Sequence, residues 1–143
     1  MAASTVRGQE ARFGRRQPLP LLTRALVALE LFLAFWAFAG SYGMLATPHG
    51  GVLDIGLLDG SPFGSFIIPG ISLLVANGLL PLAVAFGTFR RAPWANLGHL
   101  AVGVVLLCWI SAQVMFIGYE FWLQPAFFIY GLVVVALALM NAD

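Results

Sequence analysis

The sequence predicts an all-α integral membrane protein, a four-helix bundle with both termini in the cytoplasm. Three observations carry this prediction. The 143-residue chain is 61% hydrophobic and 9% charged, with a mean hydropathy of +0.94, whereas soluble domains carry about 25% charged residues. Four apolar segments are long enough to cross a hydrocarbon core of about 30 Å. The seven basic residues, all arginine, fall in alternate connections between those segments, as the positive-inside rule requires of cytoplasmic loops.

Residues 1–20 carry Arg7, Arg12, Arg15 and Arg16 without apolar periodicity and read as a flexible cytoplasmic tail. The domain proper is expected over 21–143, with spans at about 21–42, 62–89, 93–118 and 122–140. The first span is longer than a signal-peptide core and is followed by three more, so it reads as a retained helix. Ser61 is the expected N-cap of the second span and Pro62 its first residue, where a missing N–H costs nothing. Arg90-Arg91-Ala92-Pro93 interrupts the pattern before the third span, and Tyr119 to Gln124 before the fourth. Pro69 and Pro81 are expected to bend the second helix or release carbonyls into a site.

The outer loop, 43–60, contains Val52-Leu53-Asp54-Ile55-Gly56-Leu57-Leu58, too short to span and too apolar to lie free in water. It reads either as a lid over the bundle or as a compact connector.

Charge and cysteine content exclude several classes. A net charge of +1 gives no support to a nucleic-acid surface, and the one cysteine, Cys108, forms neither an intramolecular disulfide nor a CxxC pair. It is expected to be buried. No HExxH, paired HxH or cysteine-rich set is present, so no metal site is assigned; cofactors and catalytic residues also stay unassigned.

Glu30 is the strongest single signal. It lies roughly 14 Å inside the first helix, where a carboxylate should face protein and be paired or neutral. Asn77 in the second helix and Tyr130 in the fourth are expected at similar depth. The three either line a polar pocket or join helices by hydrogen bonds. Gln113, Glu120 and Gln124 form a second candidate group toward the outer face, near His49, Asp54 and Asp59. His99 and Ser111 are expected to satisfy backbone of a neighbouring helix, and Glu30, Ala34, Ala37 and Ser41 to pack on the Gly70, Asn77 and Pro81 stripe.

The order of four short spans, the run Ser61-Pro62-Phe63-Gly64-Ser65-Phe66-Ile67-Ile68-Pro69-Gly70 and the later Gln113, Gly118 and Gln124 resemble small bacterial four-helix membrane proteins, DoxX-like in architecture. The resemblance implies a bundle and assigns no functional residue. The leading expectation is an inner-membrane binding or accessory protein. Its ligand would be a membrane lipid or amphipathic small molecule, oriented by Glu30, Asn77 and Tyr130. The alternatives are a membrane enzyme or isomerase using Glu30 or His49 with the outer carboxylates, and a structural subunit or proton-linked carrier acting as a homo-oligomer or within a larger complex.

Overall fold

Four long apolar helices build the molecule, each of the length and composition of a membrane span. The computed structural model describes residues 17–142; residues 1–16, which hold most of the expected tail, lie outside them. The helices are α1 (Leu21–Ala46), α2 (Ile67–Phe89), α3 (Ala95–Ile117) and α4 (Leu123–Ala142). At 1.5 Å per residue even the shortest, with 20 residues, reaches about 30 Å. They run up and down in sequence, α1 against α2, α2 against α3, α3 against α4, and α4 closing back on α1 with the smallest of these contacts. Helices α1 and α3 are therefore diagonal partners. One end of the bundle holds the Arg90–Arg91 turn, and the other holds the long loop between α1 and α2.

The core runs along the axis through Leu26, Leu33, Val84, Val102, Leu106, Ile110, Val134 and Ala138. Phe35, Phe86, Leu97, Met115 and Ile129 are more than half exposed, as expected of side chains that face lipid rather than water. Cys108, expected inside, is on this outer surface as well; in hydrocarbon an exposed thiol sacrifices no hydrophobic burial. Small residues set the close approaches. A Cβ on Gly103 would lie 2.7 Å from Val135, and one on Gly131 2.9 Å from Leu107, so α3 and α4 meet through facing glycines. The expected α1–α2 face is present: Glu30, Ala34, Ala37 and Ser41 are buried, and Gly70 and Gly78 of α2 lie against Met44 and Ala37.

Helix α2 differs from expectation at both prolines. It starts at Ile67 rather than Pro62, because the Ser61 hydroxyl donates to the Leu58 carbonyl and accepts from the Phe63 N–H, closing a turn within the loop instead of capping a helix. Pro69 therefore falls in the first turn and bends nothing. The irregularity is one π-helical turn, Leu74–Leu79, immediately before Pro81. Pro81 has no N–H for the carbonyl four residues back. The preceding N–H, that of Leu80, reaches back five residues to Val75, widening the turn that holds Asn77 and Gly78.

The long loop folds over its end of the bundle. A one-turn 3-10 helix, Ile55–Leu58, is capped by Asp54, whose carboxylate accepts from the Gly56 N–H, and it buries Leu58. The Phe66 N–H donates to the Pro48 carbonyl at 2.8 Å, tying the two ends of the loop together. Gly51, with φ +154, leaves no room for a Cβ against Thr47. At the far end of α3, Gly118, with φ +74, ends the helix in the left-handed conformation that favours glycine.

Candidate functional site

A polar layer crosses the apolar bundle near its arginine end, and every helix contributes to it. Glu30 of α1 and His99 of α3, both fully buried, meet across the diagonal with His99 Nδ1 2.5 Å from Glu30 Oε1. On the other side of the imidazole, Nε2 lies 3.3 Å from the Thr88 hydroxyl of α2. Tyr130 of α4 donates its hydroxyl to the Leu29 carbonyl, next to Glu30, and stacks on Phe32.

Counting protons in this chain of contacts fixes its chemistry. The Thr88 hydroxyl has one hydrogen, and it is donated to the Val84 carbonyl at 2.8 Å. Toward His99 the oxygen can then only accept, so Nε2 carries a hydrogen. A single further proton joins Nδ1 to Oε1. Whether it resides on nitrogen or oxygen, the pair has no net charge, which suits a site where an isolated charge would be expensive. One atom is left over: Glu30 Oε2 is buried with no hydrogen-bond partner among the described residues.

The three residues expected to share one pocket are separated. Tyr130 is beside the pair, but its hydroxyl is spent on backbone. Asn77 is buried in the π turn, and neither its amide nitrogen nor its oxygen has a partner. The adjacent Gly78 packs on Ala37, two turns beyond Glu30, which puts this turn roughly 10 Å nearer the long loop. The depth estimate missed because residue counting assumes that the helices share one level at the arginine end, whereas Ala37, sixteen residues into α1, packs on Gly78, eleven residues from the end of α2.

The outer candidates have distinct roles. Gln124 is buried, and its side-chain oxygen accepts from the Glu120 and Phe121 N–H groups at 2.9 and 3.3 Å while its nitrogen donates to the Gly118 carbonyl. It fastens the α3–α4 turn. Glu120 is exposed and contributes its backbone. His49, Asp54 and Asp59 are exposed in the loop, and among the described residues no three His, Cys, Asp or Glu side chains group as metal ligands would. Ser111 bonds back to Leu107 in its own helix, not to a neighbour.

Gln113 borders a cavity. Beneath the long loop a partly open space of about 140 Å³ is lined by Leu53, Leu57, Leu58, Phe63 and Phe66 of the loop, Ser72 of α2, and Trp109, Ala112, Gln113 and Phe116 of α3. A larger, open furrow of about 480 Å³ lies on another face of α3, between Ile110, Ser111 and Val114 and the Gln124, Phe128 and Ile129 side of α4. Neither space is lined by Glu30, Asn77 or Tyr130.

His99, expected to satisfy backbone of a neighbouring helix, pairs instead with the Glu30 carboxylate. The usable signal was that two ionisable side chains inside apolar spans are each other's default partners. The chain matches no protein-family model, no curated protein and no solved structure, so the likeness to DoxX-like proteins stands on four-helix architecture alone.

Proposed function

We propose that this is a small multi-pass protein of a bacterial inner membrane that binds a lipid-like or amphipathic molecule at the long-loop end of the bundle, with both termini and the Arg90–Arg91 turn in the cytoplasm. The observation that carries the binding reading is the cavity beneath the loop. Small-molecule sites are concave and mostly apolar with a few placed polar groups. This one has Phe63, Phe66, Trp109 and Phe116 for walls, and Gln113 and Ser72 as its polar groups. An apolar space of roughly 150 Å³ holds a benzene ring. The occupant is therefore a molecule with one ring-sized or branched apolar part seated under the loop and a hydrogen-bonding group at Gln113.

The orientation rests on charge. Arg24, Arg90 and Arg91 accompany one end, and Asp54, Asp59 and Glu120 the other, which fits cytoplasmic arginines. Glu30 and Tyr130 drop out as ligand contacts in this reading, because each is already committed to another helix.

The test is native mass spectrometry of protein extracted with its own lipids. One small molecule retained in fixed ratio by the wild type, and lost when Ala112→Leu fills the cavity, is the expected result. A bare wild-type mass, or retention indifferent to Ala112→Leu, overturns the proposal.

A further inference from the structure

The interior holds two anomalies that packing does not explain: Glu30 Oε2 and the whole amide of Asn77 are buried without partners. Buried polar groups in native proteins are nearly always satisfied by protein or by internal water. In hydrocarbon an unpaired one costs more still. Glu30 belongs to α1 and Asn77 to α2, roughly 10 Å nearer the long loop. Asn77 is held there by the π turn, an irregularity frequent at functional sites. Along α1 the buried residues between them are Leu33, Ala34 and Ala37, two of them small.

We propose that Glu30 and His99 form a proton-exchange site, in contact with water held by Glu30 Oε2 and the Asn77 amide on the long-loop side, rather than a sealed cross-link between helices. The step requires no net charge inside the membrane. In the resting form with the shared proton on Glu30 Oε1, a half-turn of the carboxyl about its terminal torsion, which is soft and two-fold, carries that proton away from His99 Nδ1 to the water side. There it passes to water as another proton arrives from water, and the reverse half-turn returns the acid to the imidazole. One proton leaves, one enters, and no other bond changes.

The groups facing the pair allow this. From α1 it is Glu30 itself, since Arg24 is exposed at the arginine end. Helix α2 offers the Thr88 hydroxyl, fixed on Val84, with the Asn77 amide roughly 10 Å farther toward the long loop, and neither titrates. Helix α3 offers His99 alone, and α4 offers Tyr130, tied to the Leu29 carbonyl. Toward the arginine end Leu26, with no exposed surface, and Ala138 are buried on the axis. The same site would let the protein hand a proton to, or take one from, a molecule seated beyond Asn77.

The experiment follows the ring protons of histidine by NMR in 15N-histidine-labelled protein in lipid nanodiscs, with His49→Gln removing the other histidine. In the wild type the proton shared with Glu30 should exchange with deuterated water while backbone amides of Leu26 and Val102 in the same sample remain protected. Asn77→Leu should slow that exchange by about tenfold or more and leave the Nδ1 signal in place, since it removes the water-holding amide and not the pair. Asn77→Ala serves if the larger residue prevents folding, because it removes the same amide without adding bulk. A shared proton that outlasts the amides, or one that exchanges at the wild-type rate in the Asn77 variants, overturns the proposal. Neither result depends on whether a ligand occupies the cavity under the loop.

Discussion

The two ends of this bundle handle polar groups in opposite ways. Toward the arginine end, side chains from all four helices find one another: Glu30 with His99, His99 with Thr88, Tyr130 with the Leu29 carbonyl, and Thr23 with Asn141 and Asn141 with Asn96. Toward the long loop, hydrogen bonds tie segments to themselves, as Gln124 does to its own turn and Ser41 to Ala37, and aromatic walls leave space. Helix association in lipid has little hydrophobic drive, so it relies on packing and interhelical hydrogen bonds. The arginine end supplies those bonds. The long-loop end is thereby freed to hold a cavity without the bundle falling apart.

The largest effect should come from breaking the diagonal pair. Replacing Glu30 or His99 by Leu leaves the partner buried and unpaired, which costs 3–5 kcal/mol in soluble cores. In a membrane the unfolded helices also find partners, so about 3 kcal/mol is expected here, measured by denaturant titration in mixed micelles. The double variant, with both groups apolar, should be more stable than either single one. If each single change proves as mild as an exposed substitution, within about 0.5 kcal/mol, the polar end is not what holds the helices and the contrast between the ends fails.

Much of this contrast was written in the sequence, but in unequal degrees. The four spans follow from apolar runs of about nineteen residues or more and from arginines in alternate loops, signals that many residues repeat. Glu30 stands out because one carboxylate in such a run is conspicuous. Its partner does not, because which face of α3 carries His99 depends on the crossing of diagonal helices, and nothing local encodes that. The π turn at Asn77 is half legible: Pro81 announces a broken hydrogen-bond ladder but not whether the helix will kink or widen. The start of α2 was misplaced because Ser61-Pro62 carries the same residues whether it opens a helix or closes a loop turn. What decided it was the Ser61 hydroxyl bonding to Leu58.

Next in size is Gln124→Ala. It deprives the turn of three hydrogen bonds, to the Glu120 and Phe121 N–H groups and the Gly118 carbonyl, and unsatisfied backbone groups cost about 1–3 kcal/mol each when buried. Because this turn is part exposed, water replaces some of that loss. A drop of about 1 kcal/mol in the same titration is expected, with faster amide exchange confined to residues 118–124. Exchange spreading into α3 and α1 would mean that the long-loop end also carries the global stability. Smaller again is Tyr130→Phe, which removes one hydroxyl from the Leu29 carbonyl and keeps the stacking on Phe32. A loss of about 0.5 kcal/mol, the low end for a single hydrogen bond, is expected, and the His99 ring signals should stay where they were, since Tyr130 bonds to backbone and not to the pair.

The smallest expected change in stability belongs to Ala112→Leu, and its smallness is the sharpest part of the comparison. The cavity it enters measures about 140 Å³, so three added carbons fit without displacing Trp109 or Phe116. In a soluble core, filling that space would gain close to 0.8 kcal/mol per buried methylene. In a membrane the unfolded helix already lies in hydrocarbon, so only the difference in van der Waals contact remains. Stability within about 1 kcal/mol of wild type is the expected reading, together with loss of any molecule seated under the loop. A gain well above that range would mean the cavity is a packing defect that the fold tolerates. A loss well above it would mean the loop closes down on Ala112 and encloses no usable space. Only near-neutral stability with ligand released identifies a space kept open at the end of the bundle that does not have to hold it together.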